Sequence, residues 1–101
     1  MVNKTFGEFF KEYRLRAAFV NLSTFADALS EKGYLSDFTL FSHWQKGKRI
    51  PTRRMVLVCV VELFIERGAI TSLSQANEFL ESAGHGFLTD KERIKIQPLL
   101  G

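Results

Sequence analysis

Residues 55–65 read MVLVCVVELFI. The run from Met55 to Val61 is apolar throughout and carries four valines, so it suits a buried strand as well as a buried helix. Length decides for a helix. The apolar pattern continues to Phe64 and Ile65, and no other segment offers itself as a partner strand. The expected helix opens at Pro51 and Thr52 and closes at Gly68. Apolar nearly all round, it must be either the central helix of the core or partly covered by a second chain. The run falls far short of the roughly 18–20 residues of a membrane span. Cys59 is the only cysteine and lies inside it, which excludes an internal disulfide and fits a reducing cytoplasm.

Helical punctuation continues on both sides. Toward the N-terminus, Thr5-Phe6-Gly7-Glu8 reads as a capping box. Phe6, Phe9, Phe10, Tyr13 and Ala17 then follow at the spacing of one helix face, over about residues 6–18. Lys11, Glu12, Arg14 and Arg16 fill much of the opposite face. Asn21 or Ser23 can cap a second helix that turns Phe25, Ala26 and Leu29 inward and stops at Gly33. Ser36 or Asp37 can cap a third, which runs to Lys46 before Gly47. Toward the C-terminus, Ser72-Leu73-Ser74-Gln75 is a second capping box, opening a fifth helix with Leu73, Ala76, Phe79, Leu80 and Ala83 on its apolar stripe. Thr89-Asp90-Lys91-Glu92 is a third box and opens a short sixth helix carrying Ile94, with Pro98 ending regular structure. The fold class expected is all-α: a bundle of five or six helices in a single domain of 101 residues. The N-terminal Met-Val-Asn-Lys-Thr-Phe has no apolar stretch before a small-residue cleavage site, so no secretory signal is expected.

Charge is unevenly placed. Residues 46–54 hold Lys46, Lys48, Arg49, Arg53 and Arg54 and no acid, so the remainder of a chain with net charge +3 is itself net acidic. Concentrated positive charge favours a polyphosphate partner, because each neutralised phosphate releases a condensed counterion. On a helical wheel, Leu40, Phe41 and Trp44 of the third helix share an inward face. Thr39, Ser42 and Lys46 lie opposite, with Phe38, His43 and Gln45 on the flanks. A short polar face followed directly by basic residues has the layout of a major-groove reader with phosphate clamps. The start of the fourth helix adds backbone amides where a phosphate can dock.

Catalytic and metal patterns do not emerge. His43 and His85 are far apart in sequence, no Cys/His cluster has zinc spacing, and Gly84-His85-Gly86 closes a helix where a phosphate loop would open one. Ser42 and His43 are helical neighbours about 100° apart, so they cannot act as nucleophile and base. No enzyme activity, cofactor or metal is expected.

Four segments then carry a family likeness: Phe6-Gly7-Glu8-Phe9-Phe10-Lys11-Glu12-Tyr13-Arg14, Phe25-Ala26, Phe41-Ser42-His43-Trp44-Gln45-Lys46-Gly47 and Lys48-Arg49-Ile50-Pro51. With these the chain resembles the Xre/Cro/C1-type helix-turn-helix DNA-binding domains, most closely in the Trp-Glu-Xaa-Gly-Xaa-Arg-Xaa-Pro signature over Trp44 to Pro51. The likeness covers residues 5–66 and extends more weakly to residue 93. The segment from Ser74 to Gly84 is similar to the one that succeeds such domains in some bacterial regulators. Three features depart from the family pattern. Asn21-Leu22-Ser23 stands where a bracing Gln is common, Gln45 stands where a Glu forms an ion pair, and extra residues separate Ala26 from Trp44.

The resemblance implies a lambda-repressor-like core over 5–66 with a helical extension over 72–97. Its third helix, about residues 37–46, would lie in the major groove of double-stranded DNA. It implies base contacts from Phe38, Thr39, Ser42 and His43 and phosphate contacts from Lys46, Lys48, Arg49, Arg53 and Arg54. A cytoplasmic transcriptional regulator is the function expected. A homodimer is expected too, because one short helix reads few base pairs; the fourth helix, or the surface of the fifth and sixth, would supply the interface. The alternative is a helix-turn-helix scaffold that does not read DNA and docks on a protein partner, such as a larger protein, through an aromatic such as Phe38.

Overall fold

The computed structural model describes residues 4–34 and 38–100. Among them are six α-helices and no strand: α1 (Phe6–Arg16), α2 (Leu22–Glu31), α3 (Phe38–Gln45), α4 (Arg54–Glu66), α5 (Leu73–Ser82) and α6 (Asp90–Ile96). A 3-10 turn, Gln97–Leu100, follows α6. Ser36 and Asp37, the expected caps of α3, lie outside the described residues.

The ambiguous segment is the central helix. Every residue of α4 from Val56 to Ile65 is buried, Glu62 included. The valine-rich sequence lowers helix propensity by at most about 0.7 kcal/mol per residue. Burying each valine, leucine, isoleucine and phenylalanine among them contributes about 1.5–3 kcal/mol, so tertiary packing overrides the local preference. Its apolar faces pack against α2, α5 and the C-terminal turn, with Met55 at its start left exposed.

Around α4 the core is aromatic. Of the ten phenylalanines, all but Phe38 and Phe87 are buried, together with Tyr13 and Trp44. Phe10 stands at the centre, with the rings of Phe25 and Trp44 edge-on at 5.1 and 5.6 Å. Phe25 meets Phe41 edge-on at 5.0 Å, and Phe41 meets Trp44 at the same separation. Edge-to-face contacts of this kind add stabilisation beyond the area they bury. One cluster of buried side chains runs from Phe6 to Ile96, so α5 and α6 share the core of α1–α4.

Several boundaries differ from expectation. α4 begins at Arg54 and not at Pro51, because the carbonyl of Pro51 accepts a hydrogen bond from His85 Nε2 at 2.8 Å and Arg53 keeps extended angles. Pro98 sits within the final 3-10 turn, near its start, where a missing N–H is tolerated. On α6 it is Ile96 that reaches the core, while Ile94 points to solvent. The Thr5–Glu8 and Thr89–Glu92 boxes close in both directions. At α5, Ser72 accepts from Gln75 N, but the Gln75 side chain reaches back to Thr71 instead of Ser72. Ala26 and Leu40 are only partly buried, and Ala28 takes a core position on α2.

Two backbone positions are under tight constraint. Gly7 crosses the end of α3 so closely that a Cβ there would stand 2.7 Å from both the Trp44 and Gln45 carbonyl oxygens. Ala18 closes α1 at a φ of 67°, a left-handed angle that glycine adopts without penalty. Gly7→Ala is expected to destabilise the fold by about 1–3 kcal/mol, since backbone must move to admit the methyl group. Ala18→Gly is expected to stabilise it by about 1 kcal/mol. Urea denaturation of both variants checks the pair, and the assigned backbone is wrong if the two changes share a sign.

Candidate nucleic-acid interface

The orientation of α3 follows from its inner side chains. Phe41 and Trp44 are buried and Leu40 is packed against the core, which leaves Phe38, Thr39 and Lys46 exposed and Ser42 and His43 half-buried at the surface. Phe38 is 53% exposed, and with Phe87 it is one of two phenylalanines outside the core. α2 ends at Glu31, and Phe38 is the first described residue of α3.

The far flank of α3 is pinned to α1. Arg14, expected on the solvent face of α1, is buried. Its Nε donates to Gln45 Oε1 at 3.2 Å and its Nη1 to the Phe19 carbonyl at 2.6 Å. Burial pushes the guanidinium pKa down, yet from so high an ordinary value that it stays charged. A neutral amide thus stands where the family pattern has an acid. Sequence periodicity gives no hint of Arg14, because its position on the wheel borders the polar face.

After α3 the basic segment folds back on the helix. The amides of Lys48 and Arg49 both donate to the His43 carbonyl, at 2.9 and 3.3 Å. Lys48, Arg49 and Arg53 then line a groove of about 460 Å³ whose walls include Leu40 and Trp44 of α3. The structure therefore brings three of the expected phosphate contacts alongside α3. Lys46 continues the exposed edge at the end of the helix. These four cations make no ion pair among the described residues. Lys4, Arg16, Lys32, Arg93 and Lys95 elsewhere each sit on a carboxylate. No Asp or Glu occurs between Phe38 and Val61.

Arg54 is the exception among the expected phosphate contacts. Its Nε and Nη2 donate to the two oxygens of Glu92 at 3.0 and 2.7 Å. Nη1 and Nη2 also donate to the carbonyls of Gly86 and Phe87. The guanidinium is thereby committed to the C-terminal extension and not offered to a ligand. With the His85–Pro51 bond it clamps the extension onto the start of α4. No local pattern could have shown this, since 38 residues separate the partners.

Among the described residues no group of His, Cys, Asp and Glu could hold a metal ion, and no helix is long and apolar enough to cross a membrane. The Cys59 thiol is buried, and desolvation pushes its pKa up, which keeps it protonated.

The clamp has a pH signature. The Arg54 hydrogen bond, first among several causes, pulls the Glu92 pKa from an ordinary 4.5 to about 2. A carboxylate lowered in the folded state stabilises fully above pH 4.5, and that contribution is lost as pH falls toward about 2. Glu92→Gln is expected to lower stability at neutral pH and to flatten its decline between those limits. Thermal melts across the acid range test this, and an unchanged acid limb would count against the clamp. Comparisons with protein-family models, curated proteins and solved structures return no match to this chain.

Proposed function

We propose that the chain binds double-stranded DNA, with α3 entering the major groove and Lys46, Lys48, Arg49 and Arg53 on phosphates. The observation that carries this reading is the segregation of charge. Four exposed cations without carboxylate partners sit within eight residues, immediately after a helix whose outer face is polar. Phosphate contacts fix the position of a protein on a duplex, and hydroxyl, imidazole and apolar groups then read the base edges. Phe38, Thr39, Ser42 and His43 are the side chains that α3 brings to that edge, with Phe38 suited to a thymine methyl. Arg54 is left out of the phosphate set, because Glu92 holds it. As a regulator of transcription such a domain gains specificity by pairing two half-sites, and the outward surface of α5 and α6, where Ile94 is exposed, offers a face for a homodimer contact.

The exposed ring of Phe38 also suits a protein partner, with α3 as an apolar docking edge. Salt separates the two readings, since binding to phosphates weakens steeply with ionic strength and apolar docking does not.

Arg49→Ala and Arg53→Ala are each expected to weaken binding to all duplexes alike, lowering the slope of log K against log salt by about 0.9. Thr39→Ala and His43→Ala are expected to change which sequence is preferred. Selection of bound sites from random duplexes, followed by fluorescence anisotropy at several salt concentrations, checks both. Failure to enrich any sequence, with no salt dependence, would leave the protein-docking reading in its place.

A further inference from the structure

A second cavity, of about 730 Å³, includes none of the proposed DNA contacts and shares no residue with the groove beside α3. Such a volume falls in the range of small-molecule sites, roughly 300–1,000 Å³. Its floor is one face of α4, where Met55, Val58, Cys59 and Glu62 recur at helical spacing. The end of α2, Tyr34 and α6 supply its walls. The floor is therefore apolar at three positions and ionic at the fourth.

Glu62 is the ionic residue, and its side chain is only 10% exposed. Its Oε1 is sealed from solvent and accepts no aligned hydrogen bond among the described residues. The counter-charge is Lys95 Nζ, 3.0 Å away, on a side chain that lines the same cavity and is 71% exposed. A carboxylate taken out of water needs an opposite charge, and it has room for several hydrogen bonds. Here that charge comes from a long, solvated side chain. Next to desolvation, Glu62 is the largest influence on the Cys59 thiol, so the floor feels this carboxylate more than any one lysine. The remaining charges are committed or balanced. Lys32 sits on Glu66 and Glu92 on Arg54, while Glu31 and Lys91, both exposed, contribute one charge of each sign.

We infer that this cavity binds an α-amino acid with a large apolar side chain. The zwitterion enters between Glu62 and Lys95. Its ammonium donates to the Glu62 carboxylate, and its carboxylate accepts from the Lys95 ammonium. Each protein charge exchanges one partner for another, and neither is left bare. A simple carboxylic acid would draw Lys95 away and strand the buried Glu62 charge, which is unfavourable. A simple amine would satisfy Glu62 but leave Lys95 to water alone. The apolar side chain covers Met55, Val58 and Cys59, removing their remaining surface from water. The inference stands without the DNA reading, since no proposed DNA contact takes part.

The full chain is titrated calorimetrically, without DNA, with L-phenylalanine, phenethylamine and hydrocinnamate. The three share an apolar body and differ in their charged groups. A saturable isotherm is expected with L-phenylalanine, with phenethylamine weaker by about tenfold or more and hydrocinnamate weaker still. Lys95→Met is expected to remove the preference for the amino acid, bringing it within about twofold of the amine. Glu62→Gln keeps the shape of the side chain without its charge and is expected to weaken L-phenylalanine by about tenfold or more. Melting temperatures are taken alongside, and if one variant melts early the other decides. Equal potency of phenethylamine would reduce the cavity to a cation site, and equal potency of hydrocinnamate to an apolar crevice. Either result, the lack of a saturable isotherm, or unchanged behaviour of a folded variant overturns the proposal. Because no DNA is present, the result does not depend on whether the chain binds a duplex.

Discussion

The crossing of α1 over the end of α3 governs the rest of the molecule. Gly7 allows the two backbones to approach until the carbonyls of Trp44 and Gln45 fill the space a side chain would need. That approach brings Phe6 and Phe10 onto the Trp44 ring, at 5.8 and 5.6 Å, both edge-on. Further along α1, Arg14 reaches Gln45 and fixes the rotation of α3 about its own axis. With Phe41 and Trp44 held inward, the helix has no choice about which side chains it shows. Every surface property of α3 is thus a consequence of packing on its hidden side.

The choice of Gln at residue 45 has an electrostatic consequence. An acid there would pair with Arg14 and neutralise it. The amide instead leaves the guanidinium without an ion pair in the α1–α3 contact. The segment from Lys46 to Arg53 follows directly on Gln45. Near the other end of that segment, Glu92 and two carbonyls absorb the charge of Arg54. The exposed cationic surface is consequently narrower than the run of basic residues, and it is centred on Lys48, Arg49 and Arg53.

The C-terminal helices stabilise this arrangement more than they enlarge it. His85 holds the Pro51 carbonyl, Glu92 holds Arg54, and Ile96 is buried in the shared core. Together they keep the residues before α4 extended, which opens the groove and leaves the first amides of α4 without a side-chain cap. A helix beginning at Pro51, as local signals suggest, would draw Thr52 and Arg53 into its first turn and close that space.

The amino-acid sequence alone determines the all-α class, the order of the helices and most of their caps, because these depend on periodicity and on partners three or four residues away. It also locates the basic segment and the inward positions Phe41 and Trp44, since composition and the helical repeat are local properties. Tertiary structure decides what depends on distant partners: the pinning of Arg14 to Gln45, the close approach at Gly7, the capture of Arg54 by Glu92 and the late start of α4. Each of these is a contact between residues at least 31 apart, and no window of sequence contains both members. A charged side chain looks alike in sequence whether it faces solvent or a buried partner, so only the packing of the chain settles which arginines remain available to a ligand.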